Sequence, residues 1–127
     1  MLLIETFVGL SKIHGAGLGL FTLHPIEAGT VIWREHQIFD LTFTQDELDR
    51  LGEAFWPAMK KIDSYAWFDE QRSLWVLPGD DARFMNHSEE PNCDDSELFV
   101  IKAARHIKMG EELTVDYRVF RAGSLGF

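Results

Sequence analysis

The sequence predicts a mainly β domain with a minor helical component (α+β minor). Three observations lead there. Short apolar runs alternate with turn signals built on Pro, Gly and Asn along most of the chain. One stretch carries helical spacing behind a capping sequence. Apolar residues make up 46% and aromatics 13%, enough to fill a core. At 127 residues the length fits one domain, residues 1–127.

Leu2 to Val8 reads as the first strand. Ser11 to Phe21 is glycine-rich, and Gly15, Gly17 and Gly19 permit positive φ or a close backbone approach to a ligand. A plain hairpin turn is the more frequent meaning of such a run. It is not the dinucleotide-binding fingerprint: the sixth place counted from Gly15 is Leu20, and no βαβ unit follows. His24 to Thr30 is a turn, with Pro25 fixing φ and Gly29 allowing a left-handed corner. Thr30 to Trp33 is the next strand.

Thr44-Gln45-Asp46-Glu47 is a capping box, with Thr44 as N-cap and Glu47 at the third helical position. Leu48, Leu51 and Phe55 follow at helical spacing, and Met59 and Ile62 continue that face. Pro57 is expected to interrupt or end the regular helix. Ser73 to Leu77 reads as a strand closed by the Pro78-Gly79 turn, and Leu98 to Ala103 and Leu113 to Val115 as further strands.

Twelve basic against 21 acidic residues give a net charge of −9. That disfavours sequence-independent nucleic-acid binding, which needs a basic face. It suits either solubility alone or a basic partner steered by charge. No run is long and apolar enough for a membrane span, and Met1 to Ile4 stops at Glu5 without a basic lead. A cytoplasmic location, or a host intracellular one for a viral source, is the expectation. The single cysteine, Cys93, excludes a disulfide within the chain, and its spacing from His87 fits no common zinc pattern, so no metal is expected. His14, His24, His36 and His106 share no ligand spacing.

Two segments carry the chemistry. Arg83 to Cys93 reads Arg-Phe-Met-Asn-His-Ser-Glu-Glu-Pro-Asn-Cys, in which Pro91 and Asn92 set a turn and Asn86 offers an amide that both donates and accepts. Gly110 to Tyr117 reads Gly-Glu-Glu-Leu-Thr-Val-Asp-Tyr. Taken with Gly17-Leu18-Gly19, this ordered set resembles the motifs of the SET domain family of protein-lysine methyltransferases, from about Glu5 to Phe120.

The resemblance implies a SET-type β-clip fold of several small sheets, with a C-terminal pseudoknot and one main helix in the insert region. That helix either helps form a substrate groove or simply covers a sheet. The cofactor implied is S-adenosyl-L-methionine, with Gly17, Leu18, Gly19, Tyr65, Arg83, Asn86 and His87 as cofactor-site residues. Tyr65 is expected to face the cofactor or the lysine channel, and Trp67, Phe68, Trp75 and Phe84 to be core aromatics. Tyr117 matches the catalytic tyrosine. The lysine amine, with a free pKa near ~10.4, must lose its proton before attacking the sulfonium methyl. An apolar channel and the sulfonium charge favour that loss, and Tyr117 would orient the amine.

The implied substrate is a lysine in a basic protein segment, of a histone, histone-like or ribosomal protein. Where many members carry aromatics, this chain has Val115 and His36. That supports an alternative: a catalytically weak module that binds cofactor or a basic tail. No cysteine-rich zinc segment flanks the motifs, as in bacterial or viral members. Either Phe120 or Phe127 of the tail closes the channel, or a second copy supplies the wall, which makes a homodimer possible.

Overall fold

The computed structural model describes residues 1–116. Within them, short strands form four small sheets. Thr6–Leu10 (β1) and Leu18–Thr22 (β2) form an antiparallel hairpin, with Thr6 opposite Thr22 and Leu10 opposite Leu18. Phe7 stacks on Phe21 across it, at 5.1 Å between ring centroids. The predicted first strand therefore starts later than Leu2. Leu2 instead bridges Trp33, and the Leu3 amide donates to the Ile32 carbonyl at 2.8 Å.

Val31–Arg34 (β3), Cys93–Asp94 (β8) and Val100–Ala103 (β9) make an antiparallel sheet in the order β3-β9-β8. Leu41–Phe43 (β4), Trp67–Asp69 (β5) and Leu74–Leu77 (β6) make another, with β6 central. Asn86–His87 (β7) and Thr114–Val115 (β10) pair in parallel. Ile26 and Ile107 exchange reciprocal backbone bonds of 2.8 Å, joining the two turn regions that carry them.

The main core gathers Leu20 of the hairpin, Ile32 and Ile101 of the β3-β9-β8 sheet, and Ile107 and Leu113 of the following segments, each at most 2% exposed. Each such side chain contributes about 1.5–3 kcal/mol by leaving water. A second, smaller cluster holds Leu48, Ala66 and Trp75.

The helical region departs from the single helix predicted. Thr44 caps Gln45–Asp49 (α1) as expected, its hydroxyl accepting the Glu47 amide at 3.1 Å. The helix then stops, because Gly52 takes φ 72° and turns the chain. A 3₁₀ turn over Glu53–Phe55 leads into Trp56–Tyr65 (α2), the main helix. Pro57 sits in the first turn of α2, where its missing N–H costs nothing, so it starts a helix and does not end one. The predicted face is split accordingly. Leu48 is buried and Ile62 packs beside it, whereas Leu51 and Phe55 are 39% and 50% exposed.

Candidate functional site

The glycine-rich run forms the loop and second strand of the β1–β2 hairpin, so the hairpin and ligand-loop readings coincide in one element. Gly15 and Gly17 have φ of 78° and 76°, and a Cβ on Gly17 would meet nothing within 4 Å. Gly19 is the opposite case. A Cβ there would lie 2.5 Å from Glu112 Oε2 and 3.3 Å from the Ser11 backbone, so a side chain has no room.

Glu112 is the centre of this region. Its carboxylate accepts the Ser11 hydroxyl at 2.7 and 3.0 Å and the Lys12 amide at 2.9 Å. It also accepts Asn86 Nδ2 at 3.1 Å. Asn86 Nδ2 donates a second bond, of 2.8 Å, to the Leu18 carbonyl. Gly19, Leu18 and Asn86 are thus brought together, and Gly17 is joined to them through its carbonyl, which accepts the Ser11 amide at 2.7 Å. Among the described residues, Asn86 Oδ1 accepts no protein hydrogen bond, and it remains an acceptor for a ligand. An open glycine backbone beside such an acceptor fits the methionine end of S-adenosylmethionine, the group implied by the sequence.

Asn92 was read as a turn residue and does more. Its Oδ1 accepts the Thr114 amide at 2.9 Å, and its Nδ2 donates to the Glu112 carbonyl at 2.8 Å. The Ser88 amide donates to the Val115 carbonyl at 3.0 Å. Residues 86–92 therefore bond β10 at both of their ends, the wrapped relation expected of the C-terminal strand. His87 Nδ1 lies 3.7 Å from an Asp116 carboxylate oxygen.

Arg83 and Phe84 lie on a 3₁₀ turn, Asp81–Phe84, that packs beside β1 and β2. The turn is capped by Asp80, whose carboxylate accepts the Ala82 amide at 3.1 Å. Tyr65, at the end of α2, meets the Phe84 ring edge-on at 5.6 Å and lies under the Arg83 guanidinium at 5.9 Å. Arg83 also donates to the Pro78 carbonyl at 2.9 Å. The three form one cluster. Phe84 packs against the main core, as predicted, and so does Trp67. Tyr117, Phe120 and Phe127 lie outside the described residues.

Cys93 is buried in the core, and burial pushes its thiol up to about 12. It is a protonated packing residue at neutral pH. Val115 is 2% exposed and belongs to the same core.

A cavity of about 150 Å³ opens between the β5–β6 turn and residues 95–99. Glu35, Asp69, Asp95 and Glu97 line it, with Phe99 as an apolar wall. Arg72 sits among them. It donates to both Glu35 oxygens at 2.6 and 2.8 Å and to Asp69 at 2.6 Å, and covers the Phe99 ring at 4.5 Å. The Glu35 bond above all holds Arg72 further above its ordinary range. Burial, with the Asp94 and Asp116 charges adding, pushes Asp95 up to about 6. Its buried Oδ2 has no hydrogen-bond partner among the described residues.

Sequence reasoning missed Glu112 and Asn92 as organising groups, although both lie in the quoted motifs. The available signal was the pairing of an acid two places before Thr114 with a glycine that leaves space for it. That pairing spans most of the chain and has no local periodicity.

Small crossed sheets, a glycine hairpin and a C-terminal strand held by an Asn-His-Ser…Pro-Asn segment define the class of this protein. The SET domain model matches residues 17–118, and the chain belongs to the SET domain family. Over 124 residues it is 35% identical to histone-lysine N-methyltransferase trithorax of Drosophila virilis, covering 90% of this chain and 3% of that protein. It is 33% identical over 117 residues to the human histone-lysine N-methyltransferase 2B, covering 85% of this chain and 4% of that one. The chain thus spans a small fraction of these relatives' lengths. Among solved structures, it is similar to a chain of the autoinhibited ctPRC2 complex bound to S-adenosylmethionine, with a TM-score of 0.69 and 27% identity, over 92% of this chain and 16% of that one. The likeness extends to an active polycomb repressive complex 2 in the basal state, with a TM-score of 0.66.

Proposed function

We propose that this domain is an S-adenosylmethionine-dependent protein-lysine N-methyltransferase. The observation that carries the reading is the Asn86 carboxamide, held between the Leu18 carbonyl and Glu112 beside an open glycine loop. Membership of the SET family and the names of the relatives support it. Gly17, Leu18, Gly19, Asn86 and His87 would hold the cofactor, with Arg83 and Tyr65 forming the neighbouring wall. Bound there, S-adenosylmethionine would supply an electrophilic methyl group. This chain's residues would bind it, exclude water and orient the lysine amine, the last being the role of Tyr117. Such alignment in a dry site accounts for large rate gains.

The substrate we propose is a lysine in a basic protein segment. The net charge of −9 supports this, as do the carboxylates of Glu35, Asp69, Asp95 and Glu97 that line one cavity. A binding module without turnover is the second reading, supported by aliphatic Val115 buried where many members carry an aromatic.

Calorimetric titration of S-adenosylmethionine, with Asn86→Ala as control, tests the cofactor site. Labelled methyl transfer to an array of basic lysine peptides then separates the readings. Turnover that Tyr117→Phe sharply reduces supports the enzyme. Cofactor uptake without transfer to any peptide supports the module. Turnover unchanged by Tyr117→Phe would remove the role given to that residue.

A further inference from the structure

We infer that Glu112 is a positioning residue: its carboxylate fixes which end of the Asn86 carboxamide faces the hairpin, and so ties the order of the glycine loop to the docking of the C-terminal strand. The choice of ligand below rests on the functional reading above; the structural argument does not.

Asn86 Nδ2 faces two acceptors, the Leu18 carbonyl and Glu112 Oε2, at 2.8 and 3.1 Å. An amide nitrogen has two hydrogens and an amide oxygen has none, so only one orientation satisfies both neighbours. Glu112 thereby selects the face that Asn86 turns away from the hairpin, leaving Oδ1 as the outward acceptor. A flipped amide would set oxygen against oxygen at two points.

The same carboxylate also orders the loop. It takes the Ser11 hydroxyl and the Lys12 amide, and Ser11 Oγ in turn accepts the Ile13 amide at 3.0 Å. Glycine at position 19 leaves the space that the carboxylate occupies. On the other side, the Glu112 backbone belongs to the segment held by Asn92, whose Nδ2 donates to its carbonyl. One residue therefore joins two parts of the chain: the loop by its side chain, and the 86–92 segment by the same side chain at Asn86 and by its backbone at Asn92.

Charge is what allows this. An ionised carboxylate is acceptor-only and offers about four lone-pair sites, enough for all the donors that converge here. Glutamine has the same shape but a single acceptor oxygen. If that oxygen serves Lys12 and Ser11, its NH₂ meets the NH₂ of Asn86, donor against donor. Aspartate is shorter by a methylene and cannot span the same partners.

The test uses S-adenosylmethionine itself, titrated calorimetrically into the wild type, Glu112→Gln, Asn86→Ala and the double variant. Amide hydrogen exchange at Lys12 and Ile13 is followed in the same proteins, and circular dichroism checks that each is folded. Glu112→Gln is expected to weaken cofactor binding roughly tenfold, or about 1.4 kcal/mol. It should cost much less once Asn86 is already alanine, because the coupling passes through that amide. Exchange at Lys12 and Ile13 should quicken. Glu111→Gln removes the same charge one residue away, from a side chain paired with Arg105, and should change neither readout.

Faster exchange with unchanged affinity would reduce Glu112 to a support of the fold and overturn the inference, as would additive losses in the double variant. If the wild type takes up no S-adenosylmethionine, the functional reading falls, and the exchange data still decide the role of Glu112. Quickening that is not additive with that of Asn86→Ala upholds the coupling, and additive or unchanged exchange overturns the inference.

Discussion

The crossing of the C-terminal strand and the helical insert are built by different means. At the crossing, β10 and the Glu112 backbone just before it are held by buried side chains, by backbone pairing with β7 and by the two ends of the Asn92 carboxamide. Leu113, Thr114 and Val115 are all buried. In the insert, α1 buries only Leu48 and α2 buries no residue outright, while Phe55 and Trp56 are half exposed. One region is over-determined by contacts distant in sequence. The other stands on a cap, a proline-started turn and a small cluster around Trp75. Glycine backbone and paired amides demand fixed geometry, so they sit where the structure is densest. The insert has latitude to differ from one relative to another without disturbing that geometry.

The contrast can be broken at its strong end first. Leu113→Ala should cost about 2–5 kcal/mol, as other emptied core sites do, and urea unfolding would measure it. A loss below 1 kcal/mol would mean that the crossing is looser than its burial indicates. Asn92→Ala should follow at about 1–3 kcal/mol for each backbone group left unpaired at Thr114 and Glu112. Its effect should show in thermal unfolding, since the whole domain depends on the crossing.

At the weak end, Thr44→Ala should cost about 0.5–2 kcal/mol by loss of the cap. Hydrogen exchange should place that loss in residues 45–49, with β10 unaffected; equal exchange changes in both regions would erase the distinction drawn here. Asp95 gives a smaller effect with a definite sign, kept small by its partial exposure to water. Burial raises its carboxyl to about 6 in the folded chain, above the ~3.9 of an unfolded aspartate. The folded state then holds more protons between those values, so this group lowers stability as pH rises through about 6. Asp95→Asn should therefore unfold at higher urea than the wild type at pH 7, and the gain should shrink at pH 4. Smallest of all, Phe55→Ala should lie within about 0.5 kcal/mol of wild type, as an exposed change touching no special feature.

These two regions were also legible to different degrees. The insert declared its start through Thr44 and Glu47, because a cap is a local device. Its break at Gly52 has no such signal, since the helical face continues on paper through Phe55 to Ile62, and Pro57, expected to interrupt or end the regular helix, makes a beginning. In the dense region, the motif segments gave the right residues without their internal connections. β7 and β8 are two residues long, too short to show a period of two, whereas β10 lies within the strand read over Leu113 to Val115. Parallel pairing of Asn86 with Thr114, and the Glu112–Ser11 contact, are tertiary events with no neighbouring sequence signal. β4 and β5, three residues each, are also too short to show a period of two. Leu2 to Val8 was shifted because Leu2 and Leu3 belong to a separate pairing with β3.

The bond between Ser11 and Glu112 closes a loop spanning 101 positions. Contacts so remote in the chain are won late, because the entropy of closing the loop is lost before they return anything. During synthesis, the glycine hairpin leaves the ribosome long before the residue that orders it. The order of the glycine loop thus waits on Glu112, and any longer protein that carries this chain must make nearly all of the described residues before the loop can be held as it is here.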